Sequence, residues 1–230
     1  MAAAANESEE QAPGECFSAP CSMHEVDPAY VGLPDGAGRP DDNLKRWRKI
    51  ERERLLASRM TLNQQTRAQY EEKIAAKLHD AIGDPRDLTV SVYWPFKGEP
   101  DLRVWMGQVL ARGGRAALPV VVGKAQPLVF RLWARGEPLE RGVWNIPVPS
   151  KGAPVEPDIV IAPVVGFDRA GFRLGYGGGF YDRTLAVLAK RPRIVGVGYA
   201  QAAIATIYPQ PHDIPMDVVV TEAGVMLPER

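Results

Sequence analysis

The segment DIVIAPVVGFDRAGFRLGYGGGFYDR, residues 158–183, decides the fold because it joins three patterns in one short run. Residues 158–165 are apolar and rich in β-branched side chains, which is typical of a buried strand. Four glycines follow within the five positions 175–179, and a helix is predicted from about Tyr181 to Lys190. A buried strand that leads through a glycine-rich loop into a helix indicates an α/β fold with a mainly parallel sheet.

The rest of the chain repeats this alternation of strands and helices. A helix is predicted over 102–114, with Asp101 as its N-cap. Strands are predicted on either side of it, at 88–94, 116–122, 127–133, 194–199 and 217–221. The pattern therefore predicts a single α/β domain with a mainly parallel sheet flanked by helices.

Two helices are predicted before the first strand and form an N-terminal helical pair. The stretch from Leu44 to Arg59 carries seven basic residues and two acidic ones. The second helix is expected to start at Thr61, because TLNQ has the form of a capping box, and to end at Gly83.

Residues 1–42 are rich in alanine, glycine, proline and acidic residues and show no apolar period. This composition predicts a flexible tail before a domain over 43–230. Cys16 and Cys21, with His24 nearby, could bind a metal or pair with each other. Two incidental thiols are the favoured interpretation, because no further cysteine or histidine cluster completes a ligand set.

The composition of the 230 residues narrows the classes of function. The formal net charge is +0, which gives no overall attraction to nucleic acid or to a membrane surface. The chain has no apolar run long enough to span a membrane, and the start MAAAANESEE does not resemble a secretory signal. Both cysteines precede the predicted domain, which suits a reducing compartment. We therefore predict a soluble, cytoplasmic protein.

The glycine loop is predicted to bind a phosphate group. Successive glycines let backbone N–H groups converge on an anion, and the N-terminus of the following helix favours negative charge. Arg173 and Arg183 could supply counter-charge, and Asp182 could hold a magnesium ion. The loop is neither a Walker A motif nor a dinucleotide-binding fingerprint. A tight turn is the simpler alternative, but four glycines flanked by arginine and aspartate exceed what a turn requires.

Several residues outside the loop could join such a site. Asp213 could hold Mg²⁺ together with Asp182, although a lone aspartate is more often a turn residue. Glu99 follows the strand at 88–94 and could lie at the carboxyl edge of the sheet, or it could be an ordinary exposed loop acid. Trp144 could line a pocket for a flat ring or could simply pack. The basic helix could bind phosphates, form a solvated face or bind RNA, and RNA is the weakest of the three because aromatic residues are not interleaved.

Four stretches resemble one known family, the 5-formyltetrahydrofolate cyclo-ligases, also called 5,10-methenyltetrahydrofolate synthetases. They are GVWNIPVP, IAPVVGFD, GFDRAGFRLGYGGGFYDR and HDIPMDVVVTE, and the likeness extends from the basic helix to Glu222. The resemblance implies a Rossmann-like α/β fold and an ATP- and Mg²⁺-dependent reaction. In that reaction 5-formyltetrahydrofolate becomes 5,10-methenyltetrahydrofolate through phosphorylation of the formyl oxygen, with release of ADP and phosphate.

The resemblance also implies roles for particular residues. Arg173 and Tyr181 would be catalytic, and Asp182 and Asp213 would hold Mg²⁺. The implied ATP-binding residues are Lys45, Arg48, Arg52, Arg173, Leu174, Gly175, Tyr176, Gly177, Gly178, Gly179, Phe180 and Tyr181. The implied folate-binding residues are Trp94, Glu99, Trp144, Tyr176, Gly177, Gly178, Gly179 and Phe180. The expected partners are therefore a reduced folate and ATP, with neither nucleic acid nor a membrane.

Three features depart from the family pattern. Phe180 stands where the family usually has tyrosine, and residues 1–42 are an extra segment. The family's Lys-x-x-x-Arg spacing is not met by Lys45 and Arg48, whereas Arg48 and Arg52 are four residues apart. These departures leave open a non-catalytic paralogue that binds a nucleotide or a folate on the same scaffold.

Overall fold

The computed structural model describes residues 40–229, and all of them belong to one compact unit. Cys16, Cys21 and His24 lie outside the described residues, as does nearly all of the predicted tail. The first helix begins at Pro40, so the last three residues of the segment 1–42 are helical. Asp41 and Asp42 occupy its first turn, where carboxylates stabilise a helix N-terminus.

Four α-helices and eleven strands follow one another in the described part of the chain. In order they are α1 (Pro40–Met60), α2 (Gln64–Ile82), β1 (Thr89–Ser91), α3 (Arg103–Ala111), β2 (Arg115–Val121), β3 (Leu128–Trp133), β4 (Leu139–Arg141), β5 (Pro147–Pro149), β6 (Ile159–Pro163), β7 (Gly166–Phe167), β8 (Arg173–Leu174), α4 (Phe180–Val187), β9 (Arg193–Val197), β10 (Val218–Val220) and β11 (Val225–Met226). Short 3-10 turns at Val143–Asn145 and Ala200–Ala202 complete the described elements.

Seven strands form the central sheet in the order β11-β10-β9-β6-β1-β2-β3. The five inner strands run parallel, and the two edge strands β3 and β11 are antiparallel to their neighbours. Val90 in β1 pairs with Ala116 on one side and with Ile159 on the other. The prediction of an α/β fold with a mainly parallel sheet is therefore confirmed.

The strands bury side chains on both faces, as the unbroken apolar runs predicted. Along β6, Ile159 and Ile161 pack with α2 and α3, whereas Val160 and Ala162 pack on the side of α4. Val218 and Val220 of β10 join the first core, and Val219 joins the second. A residue period of two thus supplies a core to each layer of helices.

Two predicted N-caps are wrong, by two residues for α2 and by one residue for α3. Asn63, not Thr61, is the N-cap of α2, because its side-chain oxygen accepts the N–H of Thr66 at 2.8 Å. The Thr61 hydroxyl instead donates to the Ser58 carbonyl at 2.7 Å, at the end of α1. The N-cap of α3 is Leu102, and the predicted cap Asp101 precedes it and accepts the N–H of Arg103.

The strand order creates a crevice at one edge of the sheet. The chain passes from β1 to β2 on one side, whereas β6, on the other side of β1, leads on to β9 and β10. In open α/β sheets, ligands bind outside the carboxyl ends of strands where the order reverses in this way. Residues 92–99 leave β1 at this edge, and Val164 leaves β6 beside them.

None of the helices between residues 40 and 229 is both long enough and apolar enough to cross a lipid bilayer.

Candidate active site

The glycine loop, residues 175–179, stands at this edge of the sheet between the hairpin β7–β8 and helix α4. Gly179 is the N-cap of α4 and has a left-handed backbone, with a φ of 62°. Gly177 has a φ of 94°, which side-chain-bearing residues rarely adopt. The loop is therefore held in a shape that requires glycine at two positions, and a cleft opens on each side of it.

The first cleft, here called the aromatic cleft, encloses about 1030 Å³ of space, part of it open to solvent. The Phe96 and Trp144 rings are nearly parallel, with centroids 6.3 Å apart. The Phe180 ring packs edge-on against Trp144, with ring centroids 6.0 Å apart, and the centroids of Tyr176 and Phe96 are 5.7 Å apart. Trp94 and Glu99 also line this cleft. Such walls suit a flat heterocycle that stacks on aromatic rings.

The second cleft, here called the arginine cleft, spans about 1140 Å³ of space, part of it open to solvent. Its lining includes four arginines, Arg48, Arg52, Arg173 and Arg183, and two aspartates, Asp182 and Asp213. The formal charges of these six side chains leave a net charge of +2 when His212 is neutral. Such a lining suits an anionic group.

Five residues line both clefts, namely Arg173, Gly175, Gly178, Gly179 and Asp182. The glycine loop is thus the wall that the two clefts share. A ligand bound in one cleft would therefore lie next to a ligand bound in the other, with this wall between them.

Arg48 joins helix α1 to the segment that carries Asp213. Its guanidinium lies 2.6 Å from the Asp213 carboxylate and also donates to the carbonyls of Ile207 and Tyr208. The N–H of Gln210 donates to the same Asp213 oxygen at 2.7 Å. Burial raises the pKa of Asp213, but these hydrogen bonds and the charge of Arg48 outweigh it and hold the pKa below its usual range.

Arg173 is the more deeply buried of the two paired arginines, with 4% of its side chain exposed against 12% for Arg48. It lies 2.5 Å from the Asp182 carboxylate and donates to the Ile214 carbonyl at 2.7 Å. The N–H of Ile214 donates to the same Asp182 oxygen, which fixes the pair against the segment that follows Asp213. The ring of Tyr181 lies 5.9 Å from the Arg173 guanidinium.

Arg52 and Arg183 form hydrogen bonds with the backbone of the glycine loop. Arg52 donates to the Gly175 carbonyl at 2.7 Å, and Arg183 donates to the Gly178 carbonyl. Within residues 40–229 neither guanidinium forms an ion pair with a carboxylate. These two side chains therefore account for the unbalanced positive charge of the arginine cleft.

Glu99 lies at the inner end of the aromatic cleft and is 5% exposed. It accepts the Tyr176 hydroxyl at 2.7 Å and the N–H of Phe96 at 2.9 Å. Burial raises the pKa of Glu99 to about 7, although both hydrogen bonds and the charge of Arg59 act against the rise. The expectation that Glu99 lies at the carboxyl edge of the sheet is met, and the alternative of an exposed loop acid is wrong.

Trp144 lies at the tip of the hairpin β4–β5 with 53% of its surface exposed. Trp144 and Asn145 both have a left-handed backbone, with φ values of 57° and 62°. This tip conformation directs the indole across the cleft toward Phe96. Trp94, on the opposite wall, is half-buried and meets the edge of Trp133 at 6.1 Å.

The structure separates Lys45 from the other predicted phosphate-binding residues. Its side chain is 78% exposed and lies 3.7 Å from Asp42 on the same helix. Arg48 and Arg52 line the arginine cleft, whereas Lys45 lines neither cleft. Of the three basic side chains considered for α1, two are thus placed to meet an anion.

The carboxylates of the arginine cleft fit a magnesium ion that is shared with a phosphate group. Within residues 40–229 there is no cluster of three or more histidine, cysteine or acidic side chains that could hold a metal by themselves. Mg²⁺ commonly takes one or two carboxylates and completes its shell with water and phosphate oxygens. Asp182 and Asp213 provide two carboxylates in one cleft, as that arrangement requires.

Two residues of the site were missed by sequence reasoning. Phe96 forms one wall of the aromatic cleft, and Arg59 donates to the Tyr176 hydroxyl at 3.2 Å. A signal for Arg59 was present, because it follows Arg48 by 11 residues and Arg52 by seven. Both spacings bring a residue back to nearly the same face of a helix. Phe96 lies in a loop, where no periodicity marks it.

Comparison with known proteins gives one consistent family. Residues 44–222 match the 5-formyltetrahydrofolate cyclo-ligase family. The 5-formyltetrahydrofolate cyclo-ligase of Mycolicibacterium smegmatis is 33% identical over 141 residues, which cover 58% of this chain and 73% of that protein. The protein of the same name from Haemophilus influenzae is 27% identical over 187 residues, which cover 77% of this chain and 99% of that protein.

A solved structure agrees with these relatives. The 5,10-methenyltetrahydrofolate synthetase of Aquifex aeolicus superposes with a TM-score of 0.69 and 30% sequence identity, and the match covers 80% of this chain and 93% of that chain. The matched family region spans most of the domain described above, including both clefts and the glycine loop. The chain therefore belongs to the 5-formyltetrahydrofolate cyclo-ligase family.

Proposed function

We propose that this chain converts 5-formyltetrahydrofolate to 5,10-methenyltetrahydrofolate with the consumption of ATP and the release of ADP and phosphate. The observation that carries the proposal is the shared wall. An aromatic cleft and an arginine cleft meet at one glycine loop, and Arg173 and Asp182 line both. This geometry suits a phosphoryl transfer between a stacked heterocycle and a nucleotide.

The reaction needs activation because the formyl oxygen is a poor leaving group. In the proposed sequence the formyl oxygen attacks the γ-phosphorus of ATP, and the bond from that phosphorus to ADP breaks. N10 then attacks the formyl carbon, and the carbon–oxygen bond breaks to release phosphate. N10 loses its proton, and the five-membered ring is closed. The protein contributes mainly by positioning the reactants and neutralising charge.

The arginine cleft is proposed to bind the triphosphate. Its unbalanced charge comes from Arg52 and Arg183, which hold the loop by backbone carbonyls and keep further N–H groups for phosphate oxygens. The N–H groups of the glycine loop and the N-terminus of α4 add donors on the same side. Arg48 lies beside them through its pair with Asp213.

The aromatic cleft is proposed to bind the folate. Phe96, Trp144 and Phe180 offer rings on which a pterin can stack. Glu99 lies among them as a buried acceptor. Each of its two oxygens accepts one hydrogen bond from the protein, so lone pairs are left for pterin N–H groups. Trp94 closes the same cleft from the side of β1.

Arg173 and Tyr181 are proposed to act at the junction of the two clefts. Arg173 is held by Asp182 and by the Ile214 carbonyl, so its guanidinium is fixed before substrate arrives. A preorganised cation stabilises the charge that develops on a phosphoryl group in transfer. Burial raises the pKa of Tyr181, so its phenol stays protonated at neutral pH and can act as a hydrogen-bond donor.

Mg²⁺ is proposed to accompany ATP, held by Asp182 and Asp213. When bound, it would neutralise phosphate charge and help to orient the triphosphate. Both carboxylates are already paired with arginines, which holds their side chains in place.

One assay tests the proposal. Purified protein is mixed with 5-formyltetrahydrofolate, with and without Mg²⁺ and ATP, and the absorbance of the methenyl product is followed. Product that forms only with ATP supports the proposal, and its absence under all conditions contradicts it. Saturable binding of both ligands without product would instead favour the non-catalytic paralogue.

A further inference from the structure

Arg59 is a buried cation that lines neither cleft. It is 3% exposed and lies near the end of α1. One of its terminal nitrogens donates to the Val164 carbonyl, and the other donates to the Tyr176 hydroxyl at 3.2 Å. Within residues 40–229 no carboxylate forms an ion pair with it. A buried charge is costly unless it is compensated, so its compensation has to be found at longer range.

The Tyr176 phenol provides the connection. Its hydroxyl accepts a hydrogen bond from Arg59 and donates its own hydrogen to Glu99 at 2.7 Å. The buried arginine and the buried glutamate are thus opposite charges bridged by one hydroxyl group. The three residues come from α1, from the glycine loop and from the segment after β1, and Arg59 also binds the end of β6 through Val164.

We propose that Arg59 is a positioning residue of the folate site, which acts through the Tyr176 hydroxyl to favour the carboxylate form of Glu99 and to fix its side chain in the aromatic cleft. The inference rests on the proposed function, in which Glu99 accepts hydrogen bonds from the pterin. A carboxylate receives such bonds more strongly than a protonated carboxyl group does. Arg59 would therefore affect folate binding without touching the folate.

The other groups around Glu99 do not replace Arg59. The N–H of Phe96 donates to its second oxygen at 2.9 Å. Tyr93 and Tyr181 interact with it electrostatically, but burial raises the pKa of both phenols, so they stay neutral. The guanidinium of Arg67 packs against Gly98, and Lys97 lies over the Phe96 ring. Arg59 is the cation that opposes the effect of burial on the pKa of Glu99.

The test measures the dissociation constant of 5-formyltetrahydrofolate in the absence of ATP, from pH 6 to pH 9. For the unchanged protein, affinity rises with pH around a midpoint near 7, where Glu99 ionises. Tyr176→Phe removes only the bridging hydroxyl and raises the midpoint by about one pH unit. Affinity at pH 7 then falls about fivefold, because the ionised fraction falls from about one half to about one tenth, and it recovers at pH 9.

Substitutions of Arg59 extend the test. Arg59→Met raises the midpoint in the same direction, and Arg59→Lys, which keeps the charge, raises it less. Arg54→Met is the matched control, because Arg54 lies exposed on the same helix and pairs with Glu51. The pH midpoint of folate binding in Arg54→Met should equal that of the unchanged protein. If Arg59→Met does not fold, Arg59→Gln, which removes the charge but keeps N–H donors, takes its place.

The outcomes separate the two proposals. The inference about Arg59 is overturned if the pH midpoint of folate binding does not move in the Arg59 variants, or if they lose the same affinity at every pH. Either result leaves the proposed function standing. If the unchanged protein binds no 5-formyltetrahydrofolate at any pH, the proposed function is overturned, and the inference falls with it.

Discussion

The Arg173 guanidinium lies 2.5 Å from the Asp182 carboxylate, and the two side chains line both clefts. In the proposed reaction, this pair lies where a phosphoryl group would pass from nucleotide to folate. Arg173 also donates to the Ile214 carbonyl, so its two terminal nitrogens bind two different acceptors. A lysine cannot reproduce that geometry, although it carries the same charge.

Arg173→Lys is expected to lower kcat by about a hundredfold to a thousandfold, which is the usual cost of losing one preorganised donor. The matched control is Arg191→Lys, which alters an ion pair with Asp217 that lines neither cleft. Its kcat should stay within about twofold of the unchanged protein. Steady-state kinetics of methenyl product formation measure both, and equal kcat values for the two variants would contradict the role given to Arg173.

Arg183→Gln tests the unbalanced charge of the arginine cleft. A hydrogen bond to a charged group is worth about 1.5–3 kcal/mol, so the KM for ATP should rise by about tenfold to a hundredfold. The KM for folate should change less, because Arg183 reaches the aromatic cleft only through the Phe180 ring, whose centroid lies 5.4 Å from its guanidinium. Arg193→Gln, at an exposed position of β9, is the control. A similar rise in both KM values would argue for general damage to the loop.

Alanine substitutions at two glycines of the loop distinguish a glycine required by backbone conformation from one required for the approach of a ligand. Gly177 has a φ of 94°, and a Cβ there would meet the Arg52 guanidinium at 3.4 Å. Gly177→Ala should therefore cost about 1–3 kcal/mol of unfolding free energy. Gly175 has no such φ, and a Cβ there meets nothing within 4 Å. Gly175→Ala should leave stability nearly unchanged but weaken ATP binding, if a phosphate approaches the backbone at that point.

Chemical denaturation and nucleotide titration of the two alanine variants distinguish these effects. Full ATP affinity in Gly175→Ala would show that this glycine is not needed for ligand approach. Full stability in Gly177→Ala would contradict the strained conformation of the loop.

The raised pKa of Glu99 makes stability depend on pH. The pKa is about 7 in the folded protein against 4.5 for an ordinary glutamate, so the folded state binds more protons between these values. The unfolding free energy contributed by this group therefore falls as pH rises from about 4.5 to 7, by on the order of 3 kcal/mol in total. Glu99→Gln cannot ionise and lacks this fall.

Urea unfolding at pH 5 and pH 8 measures the difference. The stability of the unchanged protein minus that of Glu99→Gln should be larger at pH 5 than at pH 8. Glu140→Gln, at an exposed position of β4, provides the baseline. A difference that is constant with pH would mean that Glu99 has the same charge at both values.

Trp144→Ala is expected to raise the KM for folate by about tenfold, because one base-like ring loses a stacking surface worth about 1–3 kcal/mol. The KM for ATP and the unfolding free energy should change little, since Trp144 is 53% exposed and lies outside the arginine cleft. Steady-state kinetics with each substrate varied in turn measure the two constants. Glu140→Ala, at an exposed position of the same hairpin that does not line the cleft, controls for the hairpin itself. A folate KM that stays unchanged in Trp144→Ala would remove this residue from the folate site.

The elements that can be predicted well from sequence are those with local causes. The apolar run at 158–165 corresponds to β6 at Ile159–Pro163, because a run of β-branched residues is buried in any parallel sheet. The predicted start of α2 is misplaced, because the Thr61 hydroxyl serves the end of α1 and leaves Asn63 as the cap. Choosing between such neighbours requires the path of the chain in space, which a local pattern does not contain.

The same division holds for the site. The glycine loop, Asp182 and Arg173 stand in one stretch of sequence, so their proximity along the chain is enough to group them. Arg48 and Asp213 lie 165 residues apart, and their pairing depends on how α1 lies against the loops. Arg59 was missed because a buried arginine without an acidic neighbour in sequence looks like part of a solvated basic face.

Arginines of helix α1 bind backbone carbonyls of distant segments, those of Gly175, Ile207 and Tyr208. These carbonyls lie 123 to 160 residues after the arginines that bind them. During synthesis the helix leaves the ribosome early and must wait for almost the whole domain before its partners exist. Contacts of such long separation form late in folding. Chains that end before Asp213 would therefore lack an assembled arginine cleft, and ATP binding would report that the segment carrying Asp213 has joined helix α1.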